Sequence, residues 1–201
     1  MEAGFSWLPL REDCDKIKAI YSSWLGQRRK GQTGMKGNII LIGMPGAGKS
    51  TVGVVLAKRL GMRFVDSDLL IQETYGKLLH ELIAEHGNEG FRRLEEEVNA
   101  GLNVQGCVVA TGGSAVYGEK AMEHLREIGR VVYLQLPFPA IEARLGDLNE
   151  RGVSMAPGQT LKDLYKERIP LYERYADETI DCEGKSLQSV MLEIAQRYED
   201  C

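Results

Sequence analysis

Little in the 201-residue chain ties it to a membrane, an oxidising compartment or nucleic acid. No apolar run approaches the roughly 20 residues that a membrane helix needs. The opening Met1-Glu2-Ala3-Gly4 lacks a signal-peptide layout. The four cysteines, Cys14, Cys107, Cys182 and Cys201, lie far apart and form no C-x-x-C pair. That spacing argues against a disulfide framework or a zinc site and reads as reduced thiols. Positive charge is not in excess, since the net charge is -4. The basic run Arg28-Arg29-Lys30 is short enough to be a solvated face. The expected compartment is the cytoplasm, with neither nucleic acid nor membrane as a partner. A hydrophobic content of 43% and a charged content of 27% suit one substantial globular domain.

Against that plain background, Gly43-Met44-Pro45-Gly46-Ala47-Gly48-Lys49-Ser50-Thr51 reads G-x-x-x-x-G-K-S with an extra glycine at 46. The apolar run Ile39-Ile40-Leu41-Ile42 leads in, and a helix-compatible run from Val52 to Leu60 leads out. A phosphate needs converging backbone N–H groups unobstructed by side chains. Glycines permit such a loop, and the following helix adds its positive end. Lys49 can reach the β- and γ-phosphates, and the Ser50 hydroxyl can bind Mg²⁺. The expected nucleotide contacts are Gly43, Gly46, Ala47, Gly48, Lys49, Ser50 and Thr51. A chance match in a glycine-rich loop is the plainer alternative, and the flanking strand and helix argue against it.

Residues 1–36 read as a separate extension. Ile17, Ile20, Tyr21, Trp24 and Leu25 form one apolar helical face, and a polar, basic, Gly-rich linker follows from Gly26 to Gly37. Three readings stay open: a helix packed on the domain, a partner-docking helix, or a preamble to a start at Met35. Residues 37–201 read as the main domain, expected to act as a monomer. Strands are expected over Asn38–Ile42, Arg63–Asp66, Cys107–Ala110, Arg130–Leu134 and Thr179–Asp181. Helices alternate with them, over 51–60, 69–75, 78–86, 88 or 89 to about 102, 119–128, 137–145, 161–174 and from Ser186 on. Such alternation implies an α/β fold with a parallel sheet and helices on both faces. Ligands then bind outside the carboxyl ends of the strands. The loop 147–160 has no clear structure and reads as a lid.

Asp66 and Asp68 sit one residue apart at a strand end, so both should point one way. One could reach the Mg²⁺ held by Ser50, the other an acceptor hydroxyl; a helix N-cap is the plainer role for Asp66. Arg92 and Glu95 lie three apart on one helix. They form either a surface ion pair or a carboxylate receptor in which Glu95 holds Arg92. Gly112-Gly113 offers a side-chain-free wall whose backbone N–H groups could meet a small polar ligand, or a simple turn. Arg151 is the one basic residue of the lid, either a charge-stabilising group or a solvated side chain. Arg168 is either a second carboxylate or phosphate contact or a surface charge.

The order phosphate loop, Asp66-Ser67-Asp68, Phe91-Arg92-x-x-Glu95, Thr111-Gly112-Gly113, lid, Arg168-x-Pro170-Leu171-Tyr172 resembles the shikimate kinase family, of the nucleoside monophosphate kinase-like class. The likeness covers roughly residues 37–198. It implies a three-layer, doubly wound P-loop fold with a five-stranded parallel sheet of order 2-3-1-4-5 and a mobile lid. It also implies ATP and Mg²⁺ as cofactors and transfer to the 3-hydroxyl of shikimate. By resemblance, Lys49 contacts phosphates, Ser50 and Asp66 hold magnesium, and Asp68 contacts the acceptor hydroxyl and takes its proton. Arg92 and Arg168 bind the carboxylate, Gly113 lines the pocket, Arg151 matches the lid arginine and Arg144 an adenine-stacking arginine. Two departures stand against the pattern. Ser114 replaces a third glycine, and Arg151 is followed by Gly152-Val153-Ser154 where the family has Pro-Leu-Leu. The lid is somewhat similar to that of kinase-like domains fused to threonine synthase-like proteins. Alternative functions are a kinase of another hydroxylated acid, homoserine- or gluconate-like, or a non-catalytic nucleotide-binding module.

Overall fold

The computed structural model describes residues 37–145, 155 and 158–199. The N-terminal extension and Arg151 of the lid lie outside the described residues. Five strands form one sheet: β1 (Asn38–Ile42), β2 (Arg63–Asp66), β3 (Cys107–Ala110), β4 (Gly129–Gln135) and β5 (Glu178–Asp181). Their order is β2-β3-β1-β4-β5, and every pairing is parallel. All five residues of β1 are buried, because helices cover both faces of a parallel sheet.

The helices are α1 (Lys49–Leu60), α2 (Ser67–Tyr75), α3 (Leu79–Ala100), α4 (Glu119–Ile128), α5 (Phe138–Leu145), α6 (Leu161–Tyr175) and α7 (Leu187–Glu199). A 3₁₀ turn spans Ala115–Tyr117. Gly61 ends α1 in the left-handed region, as its place after the last apolar residue suggests. Thr160 and Asp163 close a reciprocal capping box at the start of α6. The two helices expected on either side of Gly87 run on as α3 with a kink, Gly87 itself being non-helical at φ 68° and ψ 177°. Leu102, expected at the end of that helix, lies past it but is fully buried.

At the amino end of the sheet, Asn38 ties three segments together. Its amide donates to Val104 O at 2.8 Å and Ile128 O at 2.9 Å, and its carbonyl accepts from Cys107 N at 3.0 Å. With that end locked and the interior filled by strand residues such as Ile40, Val109 and Val132, the carboxyl ends of β1, β2 and β3 are held side by side.

Candidate active site

The phosphate loop leaves the carboxyl end of β1 and enters α1. Gly48 is the N-cap at φ 96°, a conformation that a side chain would strain. Lys49 is the first helical residue, so α1 starts two residues before the expected Thr51. It is buried, and its ammonium donates to Gly43 O at 2.8 Å and Met44 O at 3.0 Å. Ser50 and Thr51 are exposed on the first turn.

A cavity of about 480 Å³ opens above this loop. Gly46, Gly48, Lys49, Ser50 and Thr51 form one wall; Asp68, Glu95, Gly112, Gly113 and Arg168 form the other. Segments as far apart in sequence as Gly46 and Arg168 thus meet where the strand-end rule places a ligand.

Asp66 and Asp68 do not project from one strand. β2 ends at Asp66, whose Oδ1 accepts from Asp68 N at 3.0 Å and caps α2, while Asp68 sits in the first turn of the helix. Strand alternation does not relate the two side chains, because the backbone turns helical between them. Asp68 lines the cavity and Asp66 does not.

Glu95 is 1% exposed. One carboxylate oxygen accepts from Ser114 Oγ at 2.5 Å, and the other has no hydrogen-bond partner among the described residues. Glu95 does not hold Arg92 as expected. The helix turns Glu95 inward toward Ser114, while the Arg92 guanidinium lies 3.7 Å from the centroid of the Tyr117 ring. Arg92 does not line the cavity, whereas Arg168, 1% exposed, does. The glycine wall is close-fitting: a Cβ on Gly112 would fall 2.1 Å from Glu95 Oε1 and 2.7 Å from Asp68 Oδ1. The Gly112 N–H is not offered to a ligand as expected, because it donates to Ser67 Oγ at 3.2 Å. Gly113 O accepts from the Tyr172 hydroxyl at 2.6 Å, which fixes the wall from behind.

Burial dominates the ionisation of the three charged groups. It lowers Lys49 to about 8, against the opposing pull of Asp68. Burial, then the neighbouring Asp66, raises Asp68 to about 6, with Lys49 opposing. Burial, then Asp68, raises Glu95 to about 7, with the Ser114 hydrogen bond opposing.

On the other side of the loop, Ala47, Gly48, Thr51 and Arg144 border a second cavity of about 270 Å³. Val52 of α1 and four residues after β5, Cys182, Lys185, Leu187 and Val190, complete the lining, and those four carry no sequence motif. Arg144 donates to Gly46 O at 3.5 Å.

The donor set suits a nucleotide with its metal. The glycine-lined loop leaves space for phosphate, and Ser50 with the Asp68 and Asp66 carboxylates offers hard oxygen ligands. Among the described residues no three His, Cys, Asp or Glu side chains form a cage. Magnesium fits such a sparse site, since it keeps waters and shares phosphate oxygens.

A parallel 2-3-1-4-5 sheet, a phosphate loop at its central strand and an acid- and arginine-lined pocket beside the loop define a P-loop protein of the small-molecule kinase type. A shikimate kinase family model matches residues 45–199, and the chain belongs to that family. Shikimate kinase of Vibrio parahaemolyticus is 39% identical over 168 residues, covering 82% of this chain and 98% of its own length. That of Thiobacillus denitrificans is 40% identical over 153 residues, 75% of this chain and 84% of its own. Among solved structures, shikimate kinase from Acinetobacter baumannii in complex with shikimate superposes with a TM-score of 0.75 at 35% identity, covering 82% of this chain and 93% of that one.

Proposed function

We propose that the chain transfers the γ-phosphoryl group of ATP to the 3-hydroxyl of shikimate. One observation carries this reading: a single cavity joins the phosphate loop to Asp68, Glu95, Arg168 and the glycine wall. Bound ATP with Mg²⁺ supplies the phosphoryl group and shields its charge. Lys49 and the loop backbone would hold the phosphates, and Ser50 and Asp66 would hold the metal, Asp66 through the carboxylate oxygen not used in capping α2. The acceptor hydroxyl oxygen forms the new P–O bond as the γ-phosphorus bond to the β,γ-bridging oxygen breaks. Asp68, a carboxylate at neutral pH, orients that hydroxyl and receives its proton. Arg168, on the cavity wall, binds the acceptor carboxylate, because a guanidinium bonds both oxygens at once, and Arg92 would join it by leaving the Tyr117 ring. Arg144 stacks on the base beside the second cavity, and Arg151 serves as the charge-stabilising arginine.

The enzyme acts as a monomer in the cytoplasm on this reading; among the described residues, no helix is long and apolar enough to cross a membrane. The deciding experiment is a coupled ADP-release assay against shikimate, homoserine and gluconate. Release with shikimate is expected. Release with another acid alone redirects the proposal, and nucleotide binding without release points to a non-catalytic module.

A further inference from the structure

Arg168 brings a positive charge to the cavity wall while only 1% exposed. A side chain that long has many rotamers, and ordering it at the moment of binding costs affinity. Its use as a receptor therefore depends on what holds the guanidinium beforehand. Arg168 Nε donates to the Tyr117 phenol oxygen at 3.3 Å, and the guanidinium also hydrogen-bonds the Tyr172 phenol. Residues four apart on a helix share a face, so α6 itself sets Arg168 beside Tyr172.

Tyr172 is fully buried, and its one hydroxyl hydrogen goes to Gly113 O at 2.6 Å. The oxygen's lone pairs remain for Arg168. The carbonyl so held belongs to a residue that touches both halves of the cavity. A Cβ on Gly113 would fall 2.7 Å from Pro45 Cδ in the phosphate loop and 3.1 Å from Arg168 Nη1. The Tyr172 hydroxyl also lies 3.8 Å from Met44 Sδ, next to Pro45. Stacking on Tyr133 fixes the ring, with centroids 5.1 Å apart. The Tyr133 hydroxyl is buried with no hydrogen-bond partner among the described residues, so Tyr133 supplies a ring and no bond.

We propose that Tyr172 is a positioning residue for the acceptor: its hydroxyl bridges the Arg168 guanidinium to the Gly113 carbonyl, so that the arginine waits in place at a fixed distance from the phosphate loop. The inference rests on the function proposed above, in which Arg168 takes the acceptor carboxylate. Without the hydroxyl, Arg168 stays charged but samples other rotamers, and the ligand must order it.

The test measures the Kd for shikimate and for an unhydrolysable ATP analogue by titration calorimetry, and kcat by steady-state kinetics. Tyr172→Phe keeps the stacked ring. It should weaken shikimate about fivefold, as expected for ordering one arginine, with the nucleotide Kd and kcat within about twofold of the parent. Tyr133→Phe should leave both Kd values within about twofold. In an Arg168→Met background, which itself weakens shikimate, Tyr172→Phe should cost less than about twofold more. An unchanged shikimate Kd in Tyr172→Phe overturns the proposal even if the Tm falls, since the hydroxyl then serves the fold alone. So does an equal loss of nucleotide affinity, a matching loss in Tyr133→Phe, or a fivefold loss that persists without Arg168. The ligand-free parent gives a reading that needs no variant to fold: ¹⁵N NMR should resolve separate Nη signals for a held Arg168, and one averaged signal overturns the proposal. A parent chain that binds shikimate but does not turn it over refutes the function reading alone. One that does not bind shikimate refutes both.

Discussion

Replacing Glu95 with glutamine should make the ligand-free protein more stable at pH 8. The carboxyl is 1% exposed and its folded pKa is raised from 4.5 to about 7. Asp68 on α2, Lys49 on α1, Arg168 on α6 and the Ser114 hydroxyl face it. Between those two pKa values the folded chain keeps a proton that the unfolded chain has lost. Stability from this group is therefore full below 4.5, falls as pH rises, and is gone above about 7. The span corresponds to about 3 kcal/mol at roughly 1.4 kcal/mol per unit. Glutamine keeps the shape and can still accept from Ser114, but loses the charged acceptor, which offsets about 1 kcal/mol. The net expectation at pH 8 is a gain of about 2 kcal/mol, shrinking to under about 1 kcal/mol at pH 5. Urea unfolding of both proteins at the two pH values, without nucleotide or acceptor, reads this directly. A gain that is the same at both pH values, or a loss at pH 8, refutes the argument that Glu95 is a buried, destabilising charge.

Other perturbations separate the parts of the site. Gly112→Ala drives a methyl to 2.1 Å from Glu95 Oε1. Overpacking of about 1–3 kcal/mol should lower the Tm by several degrees, and acceptor affinity should fall while nucleotide affinity holds. Lys49→Met replaces a buried, desolvated ammonium with an apolar chain of similar length. Turnover should drop at least about a hundredfold with the Tm little changed, by steady-state kinetics and thermal melts. Asn38→Leu leaves the Cys107 N–H and the Val104 and Ile128 carbonyls unmet. It should cost about 3 kcal/mol or more by urea unfolding, with the KM values of the remaining folded protein unchanged.

Much of this was legible along the chain. The strand bounds follow apolar runs, with Gly37 and Gly43 bracketing Asn38–Ile42 and Gly106 preceding Cys107–Ala110. The phosphate loop was legible because its parts are contiguous, and the strand-end rule carried Asp68 and Gly113 to it. The strand order came with the family resemblance and not from the alternation, which fits several orders. Reading failed where a partner sits on another element. Three-residue spacing paired Arg92 with Glu95, since one helix alone shows nothing better. Tyr117 and Ser114 compete for those two charges from a turn more than eighteen residues on. Likewise Ser67 claims the Gly112 N–H across the β2–β3 edge. The chain alternation Asp66-Ser67-Asp68 misled because the strand stops at its first residue.

On this mechanism the phosphoryl group leaves ATP for one particular hydroxyl. Phosphorus and proton NMR of the protein with ATP, Mg²⁺ and shikimate tests it most directly. One new phosphomonoester coupled to the ring proton at carbon 3 should appear in step with ADP. ATP left intact, free phosphate without an ester, or an ester at another position would contradict it.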